Sequence, residues 1–204
     1  MKTSLFFILL FVSSITYSQT ESICPDQPIP RGWVVIEKTT CAGCCGMPGQ
    51  LVNRLTIKRI DQTPASTTES ICPDQSTPRG WVVVDKTTCA GCCGMPGELV
   101  NRLTIKRIDR TPVGTTESIC PNQSIPRGWV VIDKTTCAGC CGMSGQLVYR
   151  LTIKRIDQSS LGTTESICPN QSIPRGWVVI DKTTCAGCCG MSGQLVNRLT
   201  IKRI

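Results

Sequence analysis

Four cysteines recur in the pattern Cys-x16-Cys-x2-Cys-Cys at a constant period of 48 residues, so the chain must fold as four copies of one small, sulfur-rich unit. The quartets are Cys24, Cys41, Cys44 and Cys45; Cys72, Cys89, Cys92 and Cys93; Cys120, Cys137, Cys140 and Cys141; and Cys168, Cys185, Cys188 and Cys189. A unit of about forty residues buries too little apolar surface to offset the entropy lost on folding. Disulfides, metal or partners must make up the difference.

The first residues indicate which of these applies. Lys2 followed by the apolar run Leu5 to Val12 and then by small or polar residues reads as a secretory signal over residues 1–18, with the mature chain starting at Gln19. The run is too short to span a bilayer, and nothing later in the sequence reaches spanning length. An exported chain meets oxidising conditions, where thiols of small modules pair. The expected organisation is a signal peptide (1–18), module 1 (19–60), a linker (61–68), module 2 (69–108), a linker (109–116), module 3 (117–156), a linker (157–164) and module 4 (165–204).

Each module has three kinds of segment. Ile23 to Pro30 contains three prolines and must be an extended or turning arm, because proline offers no amide donor and restricts the residue before it. Trp33-Val34-Val35-Ile36 is a β-branched, aromatic run that predicts a strand. Thr39 to Gly49 holds three cysteines and three glycines and predicts a loop. From Leu55 onward, Leu55 and Ile57 alternate with Arg54, Thr56 and Lys58, which favours a second strand over a helix across Leu51 to Ile60. The expected fold is therefore all-β: four tandem disulfide-stapled modules, each two short strands with a Cys/Gly-rich loop. The small, polar linkers permit either independent beads or strand edges that stack into a larger sheet.

Four cysteines allow three pairings per module. A bridge between the adjacent Cys44 and Cys45 departs from ordinary disulfide geometry, which leaves Cys24 with either of them and Cys41 with the other. The Cys41-x2-Cys44 spacing also suits a zinc site. The adjacent third thiol, the absence of histidine and the exported setting argue against it, and no metal or cofactor is expected.

The sequence contains no histidine, so Ser-His and Cys-His nucleophile systems are excluded, and the few acidic residues read as solvated surface. No enzymatic activity is expected. A net charge of +8 favours anionic surfaces, but the aromatics are too few for nucleic-acid stacking platforms. The expected function is multivalent, non-enzymatic binding to an extracellular surface, polysaccharide or matrix component, without nucleic acid or membrane spanning. Its candidate contacts are Arg31 and Trp33, Arg79 and Trp81, Arg127 and Trp129, and Arg175 and Trp177, with cations pairing and rings stacking. The plainer role for each tryptophan is the plug of a tiny core. Arg54, Lys58 and Arg59, with their copies in the other modules, form basic strand ends that could add contacts, discourage edge aggregation, or mark Lys-Arg sites at which a precursor is cut into cysteine-rich peptides. A secreted inhibitor or antimicrobial array is a further alternative, presenting Ala42, Gly43, Met47 and Pro48.

Overall fold

A computed structural model of the protein describes residues 19–94, 96–143, 145–190 and 193–204. The expected signal segment, 1–18, lies outside the described residues. Module 1 is built from β1 (Thr20–Ile23), β2 (Trp33–Ala42) and β3 (Leu51–Arg59). Module 2 repeats them as β4 (Thr68–Ile71), β5 (Trp81–Ala90) and β6 (Leu99–Arg107). Module 3 has β7 (Thr116–Ile119), β8 (Trp129–Ala138) and β9 (Leu147–Arg155), and module 4 has β10 (Thr164–Ile167), β11 (Trp177–Ala186) and β12 (Leu195–Arg203). The fold is all-β, as expected. The strand count per module is three rather than two, because the Thr-Glu-Ser-Ile segment before the proline arm also pairs.

In every module the last strand lies in the middle, flanked by the other two in antiparallel pairing. Thr20 to Ile23 run against Lys58 to Leu55, and Trp33 to Ala42 run against Arg59 to Leu51. The second pairing slips by one residue between Val35 and Glu37, which leaves Ile36 as a β-bulge. The same slip recurs at Val84, Ile132 and Ile180. A bulge leaves one residue outside the ladder and turns its backbone groups away from the partner strand. That local irregularity creates the acceptor used by the next module.

Two disulfides staple each module. Cys24 bonds Cys45 across 21 residues, tying the proline arm to the loop between β2 and β3, and Cys41 bonds Cys44 across three, closing the hairpin tip. Modules 2 to 4 repeat both pairings, and no cysteine is free among the described residues. Of the two connectivities left open by the spacing, this is the one that puts the long bridge on the third cysteine of the Cys-x2-Cys-Cys group. Cys45 itself sits at φ 58°, a left-handed conformation in which it can turn its sulfur back toward the arm while Cys44 faces Cys41. Glycine is required where the chain enters the second strand: Gly80 has φ +85°, and an added Cβ would lie 2.7 Å from the Asp109 carboxyl carbon.

The modules are neither independent beads nor parts of one continuous sheet. Four separate three-stranded sheets stack in chain order, each laying its arm and cysteine loop over the bulged edge of the one before. Apolar clusters accordingly cross the module boundaries. One joins Val34 and Ile60 of module 1 to Ile71, Trp81, Val83 and Ile105 of module 2 and to Cys120 and Cys141 of module 3. The linkers take part in this packing. Ser66 donates its N–H to the Arg107 carbonyl at 3.0 Å, and the Arg107 side chain reaches back to the Asp61 and Thr63 carbonyls at 2.9 and 2.5 Å.

Candidate functional site

The repeated element of this molecule is the seam between consecutive modules, and it places most of the residues singled out in the sequence. At the first seam the Val35 N–H donates to Gln75 Oε1 at 2.9 Å, while the Val35 carbonyl accepts from Gln75 Nε2 at 2.7 Å and from the Cys72 N–H at 3.0 Å. Gln123 treats Val83, and Gln171 treats Val131, in the same way at 2.8–2.9 Å. An amide side chain thus behaves as one more residue of strand, satisfying both backbone groups of the exposed edge. The bulge carbonyls of Ile36, Val84 and Ile132 accept from Arg102, Arg150 and Arg198 of the following module. Glu37 Oε1 accepts the Cys93 N–H at 2.9 Å, and Asp85 Oδ1 accepts that of Cys141 at 3.3 Å. Replacing Gln123 with alanine removes both of its bonds to Val83, leaving the carbonyl to the Cys120 N–H and the Val83 N–H without its partner, and a loss of about 1–3 kcal/mol is expected. Urea unfolding of the oxidised variant measures it.

The basic strand ends are absorbed into this architecture. Lys58, Lys106 and Lys154 each pair with a glutamate of the next module, Glu69, Glu117 and Glu165, at 2.5–2.6 Å. Arg59, Arg107 and Arg155 hold Asp61, Asp109 and Asp157 at the start of each linker. The hydrogen bond from Arg59 holds the Asp61 carboxyl below its usual pKa, while burial opposes the shift, and Asp61 raises that of Arg59 in return. Asp157 does the same for Arg155. These Lys-Arg pairs sit inside β3, β6 and β9 with both side chains engaged, a poor setting for a processing protease, which needs an extended, accessible peptide.

The tryptophans serve the seams as well. Trp81, Trp129 and Trp177 are only 5–6 % exposed, and each packs against the preceding module: Trp81 on Val34 and Ile60, Trp129 on Val82 and Ile108, Trp177 on Val130 and Ile156. Their rings cannot stack on a ligand, which corrects the expectation for these three. Trp33, in the first module, is half-buried. The arginines two residues earlier behave differently: Arg31, Arg79, Arg127 and Arg175 all remain exposed.

Above the buried rings, neighbouring proline arms leave a groove. Between modules 3 and 4 it has a volume of about 810 Å³ and is bordered by Arg127 and Arg175, with Ile125, Ile173 and Pro174 forming apolar walls. Between modules 2 and 3 a smaller groove of about 420 Å³ runs from Pro78 and Arg79 to Ser124 and Arg127. Each therefore carries one guanidinium from either side, and Arg127 borders both. Gln123 lines the smaller groove, and Gln171 lines the larger one together with Asp157 and Arg203. The arrangement offers fork-shaped donors over a mixed polar and apolar surface, suited to carboxylate or sulfate groups on an extended chain.

The hairpin tips form a second repeated surface. Leu51, Leu99, Leu147 and Leu195 are 74–76 % exposed, one per module, and Ala42, Gly43, Met47 and Pro48 are exposed at the first tip. As a metal site, the cluster of Asp85 with Cys120 and Cys141 lacks free thiolates, since the two sulfurs are bonded to each other and the carboxylate is occupied by the Cys141 N–H. No helix among the described residues is long and apolar enough to cross a membrane. Such a density of disulfides fits an extracellular or secreted protein.

The chain is thus a tandem array of disulfide-stapled β modules with recurring inter-module grooves. In comparisons with known proteins, no family model, curated protein or solved structure matches it.

Proposed function

We propose that the protein is an exported, non-enzymatic array that binds an anionic extracellular polymer, a carboxylated or sulfated polysaccharide, along its row of inter-module grooves. The observation that carries this reading is the recurrence of the groove with an exposed arginine on each bank, Arg79 and Arg127 in one case and Arg127 and Arg175 in the next. The seams fix the relative placement of these arginines, so a polymer meets several sites without ordering the protein first. Weak single-groove contacts then combine through effective concentration.

Because Arg127 borders two grooves, Arg127→Ala is expected to weaken binding to a polyuronate or heparin-like chain by about three- to tenfold, given that a charge-assisted contact is worth roughly 1.5–3 kcal/mol less solvent screening. Arg31→Ala, outside both grooves, is expected to do less. Affinity measured by calorimetry at two salt concentrations tests both statements. Equal affinity for the two variants, or binding indifferent to salt, refutes the groove as the contact surface.

The exposed tips favour a second reading, in which each hairpin end, closed by its Cys-x2-Cys bridge, is a rigid loop that docks into a protease cleft. Met47 and Leu51, 48 % and 75 % exposed, are the apolar side chains such a loop would insert. Inhibition of a protease panel that is lost in Met47→Asp would support this reading over the grooves.

A further inference from the structure

We infer that the protein binds a second copy of itself head to tail, the bulged edge of β11 receiving the arm and cysteine loop of module 1 from the next molecule. The inference is independent of the polysaccharide reading. It rests on the fact that the chain makes this contact three times internally and, among the described residues, leaves one copy of each half of it exposed.

The tail half is the outer edge of module 4. Val34 and Val35, covered by module 2, are 1 % and 4 % exposed, whereas their equivalents Val178 and Val179 are 38 % and 40 % exposed. The bulge residue Ile180 is 51 % exposed, and Ile204 is 65 % exposed where Ile60 is 1 %. Among the described residues, none corresponding to Gln75 meets the backbone of Val179, and none corresponding to Arg102 meets the carbonyl of Ile180. This is an apolar, bulged strand edge with unsatisfied pairing groups, the feature that stacks modules elsewhere in the same chain.

The head half is the free face of module 1. Gln27, the counterpart of Gln75, is exposed, and its Oε1 folds back to accept the Cys24 N–H at 3.1 Å, the donor that in later modules reaches the preceding strand. Arg54, the counterpart of Arg102, is exposed, and Trp33 is left half-buried without the valine and isoleucine that cover its copies.

Charges match as well as shapes. Internally, Lys58, Lys106 and Lys154 pair with Glu69, Glu117 and Glu165, and Lys38 pairs with Asp74 at 2.6 Å. The tail leaves the equivalent Lys202 and Lys182 exposed, and the head leaves Glu21 and Asp26 exposed. Docking would put Lys202 on Glu21, Lys182 on Asp26, Gln27 on Val179, and Trp33 on Val178 and Ile204. The two faces differ, so the contact is heterologous and each added molecule presents a fresh edge.

The test uses the oxidised chain from Gln19 to Ile204 in sedimentation velocity across a concentration series. Mass is expected to grow in whole-protomer steps. A head variant, Glu21→Lys with Gln27→Ala, and a tail variant, Ile180→Asp, are each expected to raise the concentration needed for association by about tenfold or more, the equivalent of losing one well-made contact group. Mixed together, they are expected to form dimers and nothing larger, because each retains one working face. All altered residues are exposed in the single molecule, and circular dichroism checks that folding is retained. Should Ile180→Asp fail that check, Lys202→Glu serves as the tail variant, and combining it with Glu21→Lys in one chain is expected to restore association. A chain that stays monomeric up to about 1 mM, far above the range of specific association, overturns the inference and leaves the β11 edge to another partner. Association that ignores both variants, or mixtures that grow without limit, also overturns it and identifies unspecific apolar clustering.

Discussion

Trp129→Ala is expected to cost about 3–5 kcal/mol and to split urea unfolding into two transitions, one for modules 1 and 2 and one for modules 3 and 4. Trp129 is 5 % exposed and packs with Val82 and Ile108 of the preceding module as well as with its own sheet, so truncation empties a seam rather than an isolated core. In a stacked array, stability is the sum of marginal units and the contacts between neighbours, and weakening one central contact divides the cooperative unit. The same change at Trp33, which is half-buried rather than buried, is expected to cost substantially less and to leave a single transition. Tryptophan-independent circular dichroism during the titration distinguishes the outcomes. Equal losses at the two sites would mean that each ring serves its own module alone.

Removing the long disulfide of an internal module is expected to be almost as damaging. Cys120 and Cys141 are bonded across 21 residues and are 1 % and 4 % exposed. Their joint replacement by alanine loses about 3 kcal/mol of unfolded-state restraint on the chain-entropy estimate, and the vacated sulfurs lie within the cluster containing Val34 and Trp81. Replacing Cys137 and Cys140, which close only a three-residue separation near the tip, removes about 2 kcal/mol on the same estimate and opens no seam. The ranking is the informative part: a larger effect from the tip pair would show that the hairpin end, not the arm, holds a module together. Urea midpoints of the two double variants decide it.

The chain's periodicity, its all-β character and the role of sulfur were legible because each rests on local chemistry: cysteine spacing, β-branched runs and glycine-rich turns. Thr39 to Ala42, read as the start of the loop, instead continue β2 because they pair with β3 as far as Leu51. The third strand was not legible. Thr20 to Ile23 is four residues long and mostly polar, too short for alternation to register, and it is a strand only because β3 offers an edge to pair with. The seams were hidden for a different reason. Sequence patterns report what one segment buries, whereas Gln75 and Arg102 act on backbone groups of the previous module, 40 and 66 residues away. One signal was present in Val34-Val35-Ile36. Three consecutive apolar residues in a strand imply that both faces are covered, and a two-layer core within forty residues cannot cover both. The second cover had to come from a neighbour, which also explains why the tryptophan that looked like a ligand platform proves to be a seam plug in modules 2 to 4.

Because the seams repeat the same backbone contacts at 48-residue offsets, with the Lys38–Asp74 pair particular to the first, the architecture is indifferent to its own copy number. Excising one full period from the gene, or duplicating one, joins a donor surface to an acceptor it already fits, with no residue elsewhere obliged to change. Unequal recombination between such similar repeats therefore yields foldable products, so the length of the molecule can drift by whole steps while each step is preserved.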